Sequence, residues 1–181
     1  MFDLAKLDVN RIIGRLLRMV KFDNTVYKEI EEDENANTDA LVIVLVAGLL
    51  AAIGGAIGAG SGFVGFILQF VGNVLVRWLL WSAVTWYVGT KLFGGQATFI
   101  EMARVLGYAT APMALGLLSL IPCVGIIVAI ATFALSVYIG FLAVREALDL
   151  PTDKTIFTIL ISAVAVIVIY VLLAIIGLPL M

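Results

Sequence analysis

The chain has 181 residues, 63% of them hydrophobic and 13% charged, with a formal net charge of -2 and a mean hydropathy of +1.16. Soluble domains are roughly half apolar, so this balance excludes a water-soluble globule and indicates an integral membrane protein. The small net charge gives no basis for a nucleic-acid partner, and the single cysteine, Cys123, excludes an intramolecular disulfide.

Met1 leads into a charged amphipathic segment rather than a short apolar run, so no cleaved signal peptide is expected. Val9, Ile12, Ile13, Leu16, Leu17 and Val20 follow helical spacing, while Arg11, Arg15 and Arg18 take the opposite face. The pattern predicts an amphipathic helix in the headgroup region, with each arginine gaining about 1 kcal/mol beside anionic lipid. A helix packed beneath the bundle, or one that self-associates, fits the same pattern. The acidic run 31–34 reads as a solvated linker or, more sharply, as a partner or cation site. Residues 1–39 are therefore expected to form a cytoplasmic segment, and 40–178 a bundle of membrane spans.

Residues 41–76 carry no charge. As one helix they would run roughly 54 Å, nearly twice a ~30 Å hydrocarbon core, so the chain must turn once. The turn falls in "GGAIGAGSG" (54–62), where clustered glycines supply positive φ, and predicts spans at about 40–58 and 64–88. Residues 105–144 are also uncharged, and "IPCVG" (121–125) turns them into spans at about 104–121 and 124–144. Residues 156–178 make a fifth. Pro112 falls inside the third span and predicts a kink there. The fold expected is all-α and polytopic, with five transmembrane helices preceded by an amphipathic helix.

Orientation follows from the basic residues. Lys6, Arg11, Arg15, Arg18, Lys21 and Lys28 precede the first span, Lys91 and Arg104 lie between the second and third, and Arg145 and Lys154 lie between the fourth and fifth. The two short turns and the C-terminal "GLPLM" have none, which predicts a cytoplasmic N-terminus and an outer C-terminus. So little chain remains outside that a receptor or surface enzyme is not expected.

Arg77 stands near the middle of the second span, at a cost of at least ~2.5 kcal/mol near the bilayer centre. Gln69, Asn73 and Arg77 recur every four residues, and Thr85 extends the row into one polar stripe that should face inward. Thr132 and Ser136, or Thr158 and Ser162, share a helix face and are the groups able to answer it. The stripe reads as interhelical glue, as a snorkelling arginine beside Trp78 and Trp81, or as an anion or lipid-phosphate site on a passive path. Glycines at 54, 58 and 62 form overlapping GxxxG steps suited to close helix packing.

With no histidine and no Asp or Glu within a predicted span, proton relays, carboxylate dyads, metal sites and Ser-His pairs have no components inside the membrane. The expectation is a protein that is not an enzyme and needs no cofactor or metal. Between the second and third spans, Thr98-x-x-Glu101 is a capping box that starts a helix before the membrane.

"GTKLFGG", "LGYATAP" and "AVREALDL", in this order between apolar spans, resemble the Yip1 domain family in its short prokaryotic form. The resemblance implies a five-span bundle with a cytoplasmic N-terminus, in the plasma membrane of a prokaryote. Eukaryotic relatives act in vesicle traffic between endoplasmic reticulum and Golgi, bind Rab-type GTPases and associate with one another. The Asp-Leu-Tyr-Gly-Pro motif of those members is absent here. By resemblance, Tyr108, Pro112, Arg145 and Glu146 are candidates for a shared cytoplasmic-side arrangement, in which Glu101, Arg104, Arg145, Glu146 and Asp149 are placed to pair. The function expected is a non-enzymatic scaffold that binds membrane lipids, forms a homo-oligomer and meets a cytoplasmic protein partner. The alternative is a small passive channel, or a lipid- or anion-handling protein, built on Gln69, Asn73 and Arg77.

Overall fold

The computed structural model describes residues 7–121 and 125–175. Helix α1 (Val9–Val20) is followed by α2 (Thr25–Glu32) and α3 (Ala36–Ala59). Helix α4 (Gly62–Val71) runs through a π-helical stretch (Gly72–Leu80) into α5 (Trp81–Phe93) as one rod. Then come α6 (Phe99–Tyr108), a 3-10 helix (Ala111–Leu120), α7 (Gly125–Ala147) and α8 (Thr152–Ile175).

Among the described residues, four helices are long and apolar enough to cross a membrane: Ala36–Ala59, Gly62–Phe93, Gly125–Ala147 and Thr152–Ile175. The expected third span is not a fifth such helix. A proline at position i has no N–H for the carbonyl at i−4 and its ring strikes that group. For Pro112 that carbonyl belongs to Tyr108, which is where α6 ends. The chain resumes as a 3-10 helix with Pro112 in its first turn, so the proline breaks the segment where a kink was expected. This broken segment lies along α3 in the same direction, Gly107 beside Ala40 and Gly116 beside Ala51. A Cβ on Gly54 would fall 2.8 Å from the Gly116 carbonyl oxygen, so backbone meets backbone there. A Cβ on Gly58 or Gly62 would meet no other described part of the protein within 4 Å, and the GxxxG row packs closely only at its first member.

The first turn forms at the end of the glycine cluster. Gly60 closes α3 with φ 61° and Gly62 opens the next helix with φ 64°. Gly54 through Gly58 remain helical. The proline of the second expected turn, Pro122, lies outside the described residues.

Residues 24–35 form no linker. Val26, Tyr27 and Ile30 of α2 are completely buried, within one apolar cluster that also holds Met19, Met102, Tyr108, Leu142 and Leu148. Helix α2 packs on α6 and α7, and its acidic Glu31 is buried with them. The spacing 26, 27, 30 is a helical stripe, and the density of charge around it hid an amphipathic element. The core thus runs across position 39, where sequence placed a boundary.

Candidate functional site

The polar side chains gather in two places, a knot at the N-terminal end of α3 and the surroundings of Arg77. The knot is built on Asp39, completely buried in the first turn of α3. Arg11 grips it with both ends of its fork, Nε to Oδ2 at 2.8 Å and Nη2 to Oδ1 at 2.9 Å. The Tyr108 hydroxyl donates to Oδ2 at 2.9 Å. Arg15, only 5% exposed, donates to Glu29 at 3.0 Å, Asp33 at 2.8 Å and the Tyr108 hydroxyl at 3.3 Å. Arg18 completes the row with Asp23 at 2.8 Å and with Glu29.

The basic face of α1 therefore points into the protein and is neutralised there, a geometry opposite to the headgroup-facing arrangement expected for Arg11, Arg15 and Arg18. The acidic partners on α2, on its flanks and on α3 supply the reason, because a buried guanidinium needs fixed carboxylates and lipid phosphates are mobile ones. What α1 shows instead is its apolar stripe, with Val9, Ile13, Leu17 and Val20 each at least half exposed. Leu16, Met19 and Val20 bound a small space with Pro112, Leu115, Leu135 and Ile139, residues inside the 3-10 helix and α7. Helix α1 thus lies against the sides of the bundle near that end.

Burial alone would raise the Asp33 carboxyl, but the hydrogen bonds from Arg15 and the Asn35 backbone outweigh it and hold it below its ordinary value. Glu29 is likewise lowered, burial being outweighed by Arg18 and Arg15. Glu31 goes the other way, pushed up by burial although Lys28 bonds to it.

The expected cytoplasmic-side cluster separates into pairs. Arg104 donates to Asn37 at 2.8 Å and to the Glu31 carbonyl. Glu101 closes the capping box with Thr98, its carboxylate accepting from the Thr98 N–H at 2.8 Å. Arg145 and Glu146 bond to each other, and Asp149 meets Lys28 at 3.1 Å. Their common neighbour is α2, the element sequence reading treated as linker. Tyr108 joins the knot around Asp39, and Pro112 breaks the third segment.

At the second place, Gln69 lays its amide against Gly55 and Asn73 lies beside Gly48, so both face α3. Thr85 is completely buried. Arg77 lies in the π stretch and lines two cavities, of about 470 and 420 Å³. Ser136 lines both and Thr132 the second, so α7 supplies two of the hydroxyls in these cavities. Thr158 instead donates to the Lys154 carbonyl at 2.9 Å. Trp78 is buried and donates to the Ala103 carbonyl at 2.8 Å. Among the described residues no three of His, Cys, Asp and Glu gather as a metal site would require.

Three separated segments meet at one end of the bundle through α5, α6 and α7. Gly89 and Gly95 of "GTKLFGG" press on the Leu148 side chain of "AVREALDL", where an added Cβ would stand 2.3 and 2.9 Å from its methyls. Gln96 N–H donates to the Leu148 carbonyl at 3.1 Å. Gly107 of "LGYATAP" lets α6 close on Ala40, 2.8 Å from where a Cβ would stand. Residues 22–176 match the Yip1 domain, most of the chain. The chain belongs to the Yip1 domain family. No curated protein and no solved structure matches it. The segments that carry the Yip1 resemblance are thus close-packing surfaces that hold α3, α5, α6 and α7 together. Sequence reading missed Asp39, which it left just outside the first span. Its signal was a lone carboxylate one helical face away from two arginine-rich turns.

Proposed function

We infer that this Yip1-family protein is a non-enzymatic membrane scaffold that organises lipid and protein partners from its cytoplasmic side. The observation that carries the reading is α1. Its arginines are consumed by Asp39, Glu29, Asp33 and Asp23, while its apolar stripe is left uncovered against the flank of the bundle. An apolar stripe at the membrane edge takes lipid tails or the equivalent face of a partner.

Five crossings with a cytoplasmic N-terminus fit this reading. The α6 and 3-10 segment keeps pace with α3 from Ala40 to Gly54, as a crossing segment would. Homo-oligomerisation, a cytoplasmic protein partner and a prokaryotic plasma membrane belong to the same proposal.

The test replaces Ile13 and Leu17 with serine in the full chain, reconstituted in vesicles with donor- and acceptor-labelled copies. Energy transfer between copies, and quenching of a label on α1 by brominated lipid, should both fall, with the melting temperature kept. Unchanged transfer and quenching would refute the role given to α1.

A further inference from the structure

Arg77 is exposed, and among the described residues it has no hydrogen-bond or ion-pair partner. A bare guanidinium at this depth is unfavourable in hydrocarbon, and such residues mark sites of function. Its nine-residue π stretch adds a second sign, since i→i+5 turns recur at functional positions. That stretch packs on α3 and α6, and its remaining side faces the gap toward α7.

Three spaces join there. Cavities of about 470 and 420 Å³ share Arg77, Met113, Phe133 and Ser136. The larger adjoins a third, of about 550 Å³, through Trp81, Phe133, Ser136 and Gly140. Among the described residues, the hydroxyls that line the two cavities with Arg77 are those of Thr110, Thr132, Ser136 and Tyr170, of which Thr110 donates to the Gly107 carbonyl at 2.7 Å. The Thr132 hydroxyl is buried and has no hydrogen-bond partner. No described Asp or Glu lines any of the three. The third space has Ile156, Ile159 and Leu160 for walls, with Ser136 its one hydroxyl. Phe133, common to all three, is 72% exposed, so the cavities open sideways to lipid.

A cation in cavities that carry hydroxyls and no carboxylate selects an anion. Apolar continuation and a lateral opening select an anion that carries hydrocarbon. We propose that Arg77, with Thr132 and Ser136, binds the oxyanion of an anionic amphiphile, a lipid phosphate or a fatty carboxylate, whose tail occupies the space along Trp81, Phe133 and Leu160. The Arg77 guanidinium and the unpartnered Thr132 hydroxyl are then both satisfied. The site stands independently of the role given to α1.

The experiment is native mass spectrometry of the full chain released from vesicles of phosphatidylcholine with phosphatidylglycerol, with palmitate or with inorganic phosphate. One phosphatidylglycerol or one palmitate per chain is expected to be retained in preference to phosphatidylcholine, and which of the two is retained identifies the head. Arg77→Leu should lower retention on the order of 10- to 100-fold, the range for losing charge-assisted hydrogen bonds. Arg77→Lys should retain part, and Thr132→Val, which keeps the charge and the shape, should weaken binding measurably. Lys91→Leu, a cation outside the cavities, should change nothing. Equal retention by the wild-type chain and Arg77→Leu overturns the proposal. So does inorganic phosphate bound as tightly as the amphiphiles, which would make the site one for a free anion. An oligomer that holds no lipid and dissociates on Arg77→Leu also overturns it, with a second copy as Arg77's partner.

Discussion

Replacing Asp39 with asparagine keeps the shape of the side chain and removes its charge. The carboxylate is completely buried and holds Arg11 at 2.8 and 2.9 Å, with Tyr108 at 2.9 Å and Arg15 at 3.8 Å. An asparagine oxygen accepts from part of this set, while its NH₂ faces guanidinium donors. Arg15, 5% exposed, would then share only Glu29 and Asp33, both more exposed than Asp39. Removing one member of a buried ion pair costs about 3–5 kcal/mol, because the other charge stays buried. The substituted amide keeps the hydrogen-bonding shape, which places the loss toward the lower end of that range. At 1.4 kcal/mol per factor of ten, amide exchange along Val9–Val20 should quicken on the order of 100- to 1,000-fold. Hydrogen exchange in lipid nanodiscs reads this directly, with α8 as the internal control. The double variant Arg11→Met/Asp39→Asn should lose less than the two single losses added. Acceleration below tenfold would refute the view that Asp39 anchors α1.

Acid should release the same element. Asp33 and Glu29 have folded values below their ordinary ones, and Asp23, bonded first to Thr25 and then to Arg18, is lowered to about 2. Their contribution is full above the unfolded carboxylate range near pH ~4 and is lost as pH falls through the lower folded values. Exchange along α1 should therefore rise between pH ~4 and ~2 and, once corrected for the intrinsic exchange rate, stay flat from pH ~5 to ~7. Gly54→Ala should lower the melting temperature, since its Cβ would meet the Gly116 carbonyl at 2.8 Å, at about 1–3 kcal/mol for an overpacked contact. Gly58→Ala, with open space around it, should instead gain up to ~1 kcal/mol from helix propensity; equal signs in thermal unfolding would contradict the packing. Trp78→Phe removes the bond to the Ala103 carbonyl and should cost about 1 kcal/mol, measured in the same way.

The long apolar runs made the membrane class legible, because hydrocarbon thickness converts charge-free length directly into crossings. Four of the five expected spans appear as helices of spanning length, close to the expected bounds. The third, expected as a span, is a short α-helix followed by a 3-10 helix. Its backbone type depends on Pro112 meeting the Tyr108 carbonyl and on Gly116 lying against Gly54, a contact between residues 62 positions apart. The knot was half legible: the faces of α1 were read correctly, while the direction they point was set by α2, whose buried stripe is only three residues among charges. Gln69 and Asn73 follow from spacing, but the π stretch around Arg77 has no composition signal.

The 3-10 helix Ala111–Leu120 makes one segment of the bundle longer than its residue count implies. Ten residues rise about 20 Å in this form, against about 15 Å as an α-helix. That difference is nearly a whole α-helical turn, with Pro112 in the first turn of the stretch and the Gly116–Gly54 contact midway along it. The stretch thus covers more of α3, the most buried of the four long helices among the described residues, than an α-helix of the same residue count would.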